Sequence, residues 1–212
     1  MRTTIILPLL LIMSGTLYAQ TAEEFLRRGV ADYQTGNFSQ AIVDFSMAIG
    51  ADSTLSVAWN NRGLSKLMMR DTIAALLDYE RSLELNSRNV EALVNRGNAR
   101  AGLGDNSGAI QDLTRAIQLD SSTTAAFANR AVAKIKLQDY RGAIKDLSVI
   151  IVRQPNNPMN YKNRALAKYA LGDKDGACLD LSAAGELGDA DAYEKIKQYC
   201  NKPPEPTLFP PR

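Results

Sequence analysis

The chain has 212 residues, 45% of them hydrophobic and 23% charged, and a formal net charge of +2, values that are typical of one soluble domain with an ordinary core. A charge so close to zero, without a cluster of Lys and Arg, argues against a nucleic-acid-binding protein. The chain contains no histidine, which excludes Ser-His-Asp and Cys-His catalytic sites and His-rich zinc sites.

Residues 1–19 have the pattern of a secretory signal peptide. Arg2 precedes a nine-residue apolar run from Ile5 to Met13, and small residues lead to a cleavage point after Ala19. A membrane anchor and a disordered start are the alternatives, but about 20 apolar residues are needed to cross a bilayer. We therefore expect export to a bacterial periplasm or cell surface. In a eukaryote, Asn37-Phe38-Ser39 would be a glycosylation acceptor.

After the signal, the sequence repeats itself every 34 residues, five times and without a gap. Each copy has a large apolar residue followed four places later by Gly or Ala, so both lie on one helical face. A small residue lets a second helix approach closely. The large residues are Phe25, Trp59, Leu93, Phe127 and Tyr161, and the small ones are Gly29, Gly63, Gly97, Ala131 and Ala165. Because a turn of Gly, Asn, Asp or similar residues follows, each copy is predicted to be a helical hairpin.

Two further periodic positions complete the pattern. An alanine stands twelve places after the small residue and a large apolar residue four places after that, as at Ala109 and Leu113. This pattern resembles the tetratricopeptide repeat family over residues 22–191, although only Pro155 keeps the proline that often separates units. The resemblance implies an all-α, right-handed superhelical solenoid of five hairpins. Its repeats are residues 22–55, 56–89, 90–123, 124–157 and 158–191.

The end of the chain differs from the repeats. Residues 191–201 carry Tyr193, Ile196 and Tyr199 as an apolar helical stripe, which predicts a capping helix over the last hairpin. The tetratricopeptide domain is thus expected to span residues 20–201. Residues 202–212 are rich in proline, and we expect them to be extended or disordered.

Five Arg and five Asp also recur at the repeat period. They predict ion pairs between first and second helices, and the alternative interpretation is an anion-binding groove. Matching numbers of the two charges favour the structural interpretation. These residues are Arg28, Arg62, Arg96, Arg130 and Arg164, with Asp44, Asp78, Asp112, Asp146 and Asp180.

A row of asparagines precedes four of these arginines. By resemblance to the family, this position faces the concave groove, where an amide can both donate to and accept from a peptide backbone. Hydrogen bonds between helices within the stack are the alternative. The predicted peptide-binding residues are Asn61, Asn95, Asn98, Asn129, Asn163, Leu64, Val132, Leu166, Tyr33 and Tyr169, beside Val30, Leu67 and Ile135. The two-Lys carboxylate clamp of chaperone-binding relatives is absent, because Val94, Met159 and Asn163 stand at its Lys, Lys and Arg positions.

Cys178 and Cys200 are the only cysteines. In an exported chain a disulfide between them is expected, and its loop would contribute about 3 kcal/mol in the chain-entropy model. Two buried thiols are the alternative. Neither CxxC spacing nor histidine accompanies the pair, so metal binding and redox catalysis are not expected.

These patterns predict a non-catalytic scaffold that holds a protein or peptide segment in its groove. No cofactor, metal, nucleic acid, small-molecule substrate or membrane-spanning segment is expected. The alternative function is a structural subunit of an envelope or secretion assembly that docks through its convex face or tail. A third hypothesis, hydrolysis of cell-wall glycans, would require a pair of carboxylates facing the groove.

Overall fold

A computed structural model describes residues 21–200. The predicted signal peptide and the proline-rich tail lie outside these residues. Within them there are eleven helices and no strand. The helices are α1 (residues 21–34), α2 (Phe38–Ala51), α3 (Ser56–Met68), α4 (Thr72–Leu85), α5 (Val90–Gly102), α6 (Asn106–Leu119), α7 (Thr124–Lys136), α8 (Tyr140–Arg153), α9 (Pro158–Ala170), α10 (Lys174–Glu186) and α11 (Ala190–Tyr199).

This order confirms the predicted all-α fold of five hairpins and a closing helix. Odd-numbered helices up to α9 are the first helices of the hairpins, and even-numbered helices are the second helices. Within residues 21–200 the chain divides into two compact units, with the division between Asp105 and Asn106. Helices α1 to α5 belong to the first unit, and α6 to α11 belong to the second.

The turn inside each hairpin reverses the chain through one residue with a left-handed backbone. Gly occupies this position in three turns, as at Gly36 with φ 82°, whereas Arg70 (φ 65°) and Gln138 (φ 62°) occupy it in the other two. An Asp follows in most turns, and Asp71 and Asp139 each accept a hydrogen bond from a backbone N–H at the start of the next helix. The repeat therefore ends its first helix and begins its second with the same local chemistry.

Close packing within the hairpins explains the small periodic residue. A Cβ placed on Gly29 would lie 2.6 Å from the ring of Phe45, and one on Gly63 would lie 2.8 Å from the ring of Tyr79. In the second unit, Leu147 of α8 is buried in a cluster with Ala131 of α7. The large side chain of each second helix thus fills the space that the missing side chain leaves.

Ion pairs join the helices at the periodic Arg and Asp positions. Four of the predicted pairs are in contact, with Arg Nη2 to Asp Oδ1 distances between 2.6 and 3.0 Å. All four carboxylates are buried. These pairs are Arg28–Asp44, Arg62–Asp78, Arg130–Asp146 and Arg164–Asp180. Arg96 and Asp112 belong to different units, and their pairing stays a prediction.

Each of three buried carboxylates also binds a lysine that the sequence analysis did not single out. Lys66, Lys134 and Lys168 stand four residues after the periodic arginine, and their ammonium groups lie 2.7 to 2.9 Å from the same Asp. The periodic arginine also contacts the preceding hairpin: Arg130 Nη1 donates to Thr114 Oγ1 on α6 at 3.0 Å. One guanidinium therefore ties together three consecutive helices.

We predict that Asp146→Asn lowers the free energy of unfolding by about 3 kcal/mol, because it leaves Arg130 and Lys134 without their buried counter-charge. Urea denaturation followed by circular dichroism measures the change. Glu84→Gln is the matched control: Glu84 pairs with Arg81 at an exposed position, so its loss should cost less than about 1 kcal/mol. Equal losses for the two variants would contradict a stabilising role for the buried network.

Candidate functional site

The predicted asparagine row lies along the first helices. Asn61 and Asn95 belong to α3 and α5 in the first unit, and Asn129 and Asn163 belong to α7 and α9 in the second. All four side chains are half-buried. We call the side of the first helices that carries this row the amide face.

In the first unit, two members of the row are engaged by a buried amide. Asn60, 1% exposed, donates from Nδ2 to Asn61 Oδ1 at 3.3 Å and accepts from Asn95 Nδ2 at 3.1 Å. The bond from Asn95 joins α5 to α3 and is of the kind that the sequence left open as the alternative, whereas the bond between Asn60 and Asn61 lies within α3. The sequence analysis missed Asn60, although three of the four equivalent positions hold the apolar residues Leu26, Val94 and Ala128, which marks it as a polar residue at a packing position.

In the second unit, the row is not engaged in this way. The side chains of Asn129 and Asn163 make no hydrogen bond to any other residue between positions 21 and 200. The equivalent of Asn60 is Ala128 beside Asn129 and Lys162 beside Asn163, so no neighbouring amide competes for them. Their donors and acceptors therefore remain available to a ligand.

A pocket of about 220 Å³ opens on the amide face of the first unit. We call it the first-unit pocket; its lining residues are Val30, Tyr33, Gln34, Phe45, Asn61 and Leu64. Four of the predicted groove residues are thus brought together here. The floor is Phe45, the same side chain that packs against Gly29.

A larger pocket of about 350 Å³ lies among α9, α10 and α11. We call it the C-terminal pocket; it is lined by Met159, Lys162, Asn163, Ala165, Leu166, Leu181, Asp191, Lys195 and Tyr199. Of the predicted groove residues, it contains Asn163 and Leu166. The exposed fractions of Met159 and Leu166 are 50% and 49%, so its apolar wall is open to a ligand.

The two pockets are built from equivalent repeat positions. Leu181 takes the floor position of Phe45, and Leu166 takes the wall position of Val30. Helix α11 begins at Ala190, 32 residues after the start of α9, whereas the 34-residue repeat would place its start at residue 192. Because of this shift, Lys195 is the residue of α11 that is equivalent to Asn163 in the row of amides. The closing helix therefore acts as the first helix of an incomplete sixth repeat.

Acidic residues fix the start of α11. Lys162 Nζ lies 2.8 Å from Asp189 Oδ2 and 3.1 Å from Asp191 Oδ2, and Lys195 lies 3.5 Å from Asp191. The hydrogen bond to Asp189 is the main cause of a raised pKa at Lys162, and the same lysine lowers the pKa of Asp189 and Asp191. Because the pKa values of Asp189 and Asp191 are lowered, both carboxylates are charged above the ordinary aspartate pKa, and their ion pairs with Lys162 then contribute fully to stability. This contribution is lost as the pH falls through the lowered pKa values.

A disulfide and an aromatic pair fix the other end of α11. Cys178 on α10 and Cys200 are joined by a disulfide, with Cα atoms 5.9 Å apart. The rings of Tyr169 and Tyr199 lie 4.4 Å apart. Tyr169, predicted to line the groove, thus packs against the closing helix.

The remaining predicted groove residues, Asn98 and Val132, are exposed on α5 and α7. Between residues 21 and 200 no group of three or more His, Cys, Asp or Glu could hold a metal ion. Asp191 is the one carboxylate that lines the C-terminal pocket, so that pocket holds no carboxylate pair for glycan hydrolysis. No helix in the described part of the chain is long and apolar enough to cross a membrane.

The second helices of the first unit carry exposed apolar side chains. Val43 and Met47 on α2 and Ile73 and Leu77 on α4 are each more than half exposed. In the fourth repeat, the positions of Ile73 and Leu77 hold Arg141 and Lys145. These positions are therefore not apolar in every repeat, although α10 of the second unit also exposes Leu179, the equivalent of Leu77.

Comparisons with known proteins agree with the repeat architecture. The family model described as tetratricopeptide repeat matches residues 90–123. Comparison with curated proteins finds no significant sequence match.

Three solved structures illustrate the similarity of fold. YrrB, described as a TPR protein with an unusual peptide-binding site, aligns with a TM-score of 0.74 at 15% identity, over 85% of this chain and 97% of that one. PilF from Pseudomonas aeruginosa aligns with a TM-score of 0.73 at 18% identity, over 87% and 95%. The first TPR of Spaghetti, bound to the HSP90 peptide SRMEEVD, aligns with a TM-score of 0.55 at 23% identity, over 56% and 94%. The chain therefore contains a tetratricopeptide repeat at residues 90–123 and has the fold of tetratricopeptide repeat proteins.

Proposed function

We propose that this protein is a non-catalytic scaffold that binds an extended segment of another protein on the amide face of its second unit. The observation that carries the proposal is the presence of two unengaged amides on successive first helices, Asn129 on α7 and Asn163 on α9, of which Asn163 lines an open apolar pocket. An amide both donates and accepts, so two in a row can hold a peptide backbone whatever its side chains.

The apolar side chains of this face supply the second contribution to binding. Val132, Met159 and Leu166 are 41%, 50% and 49% exposed. Covering the exposed half of each would contribute about 1 kcal/mol per side chain. Hydrogen bonds to a backbone add about 1 kcal/mol each. We expect a partner segment that offers an apolar side chain to the C-terminal pocket and extended backbone to the amides.

The comparisons support a peptide ligand. YrrB is described as having a peptide-binding site, and the Spaghetti domain is bound to a peptide. The first-unit pocket has the same construction as the C-terminal pocket, and we propose it as a second apolar subsite, with Asn61 and Asn95 contributing the donors and acceptors that Asn60 leaves unused.

Export is a separate proposal. The disulfide between Cys178 and Cys200 supports it, because such bonds persist in oxidising compartments. The apolar start of the sequence, ending at Ala19, supports it as well.

Replacing Asn129 and Asn163 together with Ala should reduce partner capture about thirtyfold, because two hydrogen bonds of about 1 kcal/mol each are lost. Crosslinking in intact cells, with mass-spectrometric quantification of the captured protein, measures the effect. Asn156→Ala is the matched control, since Asn156 is exposed in the loop before α9 and outside the pocket. Thermal unfolding should be nearly the same for all three proteins. Unchanged capture by the double variant would overturn the assignment.

One observation favours the alternative, a structural subunit that docks through its second helices: the exposed apolar side chains of α2 and α4. Ile73→Arg with Leu77→Lys installs the residues of the fourth repeat at these positions. If the scaffold proposal is right, this variant should capture as much partner as the unchanged protein. A loss of association here, with capture unaffected in the Asn129 and Asn163 variant, would instead support the structural subunit.

The mature protein isolated from its own cells should begin at Gln20 and contain no free thiol. Thiol titration of the unfolded, unreduced protein should give none, and titration after reduction should give two, from Cys178 and Cys200. Intact mass gives the N-terminus. Two free thiols before reduction would contradict the disulfide, and a retained Met1 would contradict cleavage.

A further inference from the structure

We propose that oxidation of Cys178 and Cys200 to the disulfide is the step that builds the C-terminal pocket, so that this pocket takes its ligand only in the oxidised protein. The ligand is the segment of another protein proposed above, and in this respect the inference rests on the scaffold function. The formation of the pocket itself depends on the contacts of α11.

Helix α11 forms one wall of the pocket. Asp191, Lys195 and Tyr199 line it from three successive turns of this helix, together with Met159 and Leu166 of α9. When α11 is detached, Met159 and Leu166 stay on α9 as an open surface and the enclosed space is lost. The presence of the pocket therefore depends on how firmly α11 is attached to the hairpin before it.

Few buried side chains hold α11 in place. Of its ten residues, all within the described part of the chain, Ala192 alone is buried, whereas α10 has five buried residues. The ring of Tyr193 packs on Gly185 of α10 but is 52% exposed, and Ile196 and Tyr199 are partly buried. Because an isolated helix of this length is marginal in water, packing alone attaches α11 weakly.

The ionic contacts of α11 lie at its start. Lys162 pairs with Asp189, the residue before the helix, and with Asp191 in its first turn. Contacts at one end of a helix do not hold the other end, which is free to fray. Tyr199, which completes the pocket wall, is the last residue of α11. Its position is therefore set by the attachment of Cys200.

The disulfide supplies the attachment at this end. Cys200 directly follows α11, and Cys178 lies on α10, which its buried residues fix in the stack. In the chain-entropy model, a bond across a sequence separation of 22 residues reduces the detached conformations about a hundredfold. Cleavage of the bond should therefore raise the detached fraction of α11 by the same factor.

Oxidation of the pair is a thiol–disulfide exchange with a protein disulfide of the CxxC class. One cysteine thiolate attacks that disulfide and forms a mixed disulfide, and the second thiolate then displaces the oxidant as its dithiol. The cysteine pair loses two electrons to the oxidant, and its two thiol protons pass through water to the leaving dithiol. Because the cytosol keeps thiols reduced, the pocket of an exported chain forms after export.

Hydrogen–deuterium exchange of α11 tests the proposal without a partner. The purified protein is compared with the same protein reduced by tris(2-carboxyethyl)phosphine, and mass spectrometry follows the amides of residues 190–199. Because these amides exchange when the helix detaches, we expect their exchange to be about a hundredfold faster after reduction. The amides of α7, residues 124–136, should exchange at an unchanged rate, which shows that the repeats stay folded.

The variant Cys178→Ser with Cys200→Ser should exchange in α11 like the reduced protein, and the reductant should have no further effect on it. In the capture experiment it should bind about fivefold less partner, because an apolar side chain of the partner stays in water. Ser182→Ala is the matched control, since Ser182 lies one turn further along α10 and outside the pocket. It should behave as the unchanged protein in both measurements.

Two results would overturn the proposal. Exchange in α11 could be the same before and after reduction, or the double serine variant could capture as much partner as the unchanged protein. The variant of Asn129 and Asn163 tests the scaffold function separately. Its failure to reduce capture would remove the ligand from the proposal, whereas the exchange of α11 would still report whether the disulfide builds the pocket.

Discussion

The buried carboxylate of each second helix is the constraint on which the hairpins depend. Asp78, Asp146 and Asp180 each receive a guanidinium and an ammonium from the adjacent first helix. Two charges taken out of water contribute little net stability, because desolvation offsets most of their attraction. Their effect is on register: a carboxylate that is displaced from its two partners is buried without compensation. The pairs therefore select one alignment of the two helices.

The first repeat shows what the preceding helix contributes to this arrangement. Arg62 and Arg164 each donate to a serine of the second helix before them, at 3.1 Å. In the structure described, Arg28 lies on α1 with no earlier second helix to receive it, and its side chain is 54% exposed. The full network thus exists only where one hairpin follows another. The preceding hairpin thus buries the arginine, whereas Asp44 is buried even in the first repeat.

Sequence reasoning worked where one physical cause recurs at every copy. The 34-residue period reveals the hairpins, and the Gly29 and Gly63 positions are small because Phe45 and Tyr79 fill the space beside them. The asparagine row recurs as well, but its local surroundings do not. Asn60 occurs in one repeat alone and changes what Asn61 and Asn95 can do. Periodicity cannot predict such an exception, because it identifies what copies share and says little about where one differs.

The closing helix is the exception with the largest consequence for function. Its start, 32 residues after that of α9 instead of 34, places Lys195 where the row of amides would have continued. An ammonium donates but does not accept, so this position cannot hold a peptide backbone as an asparagine can. The ionic contacts of Lys162 and the disulfide of Cys200 then anchor the two ends of α11. A helix that ends a repeat stack must cover an apolar flank, and here the same helix also forms a wall of the C-terminal pocket.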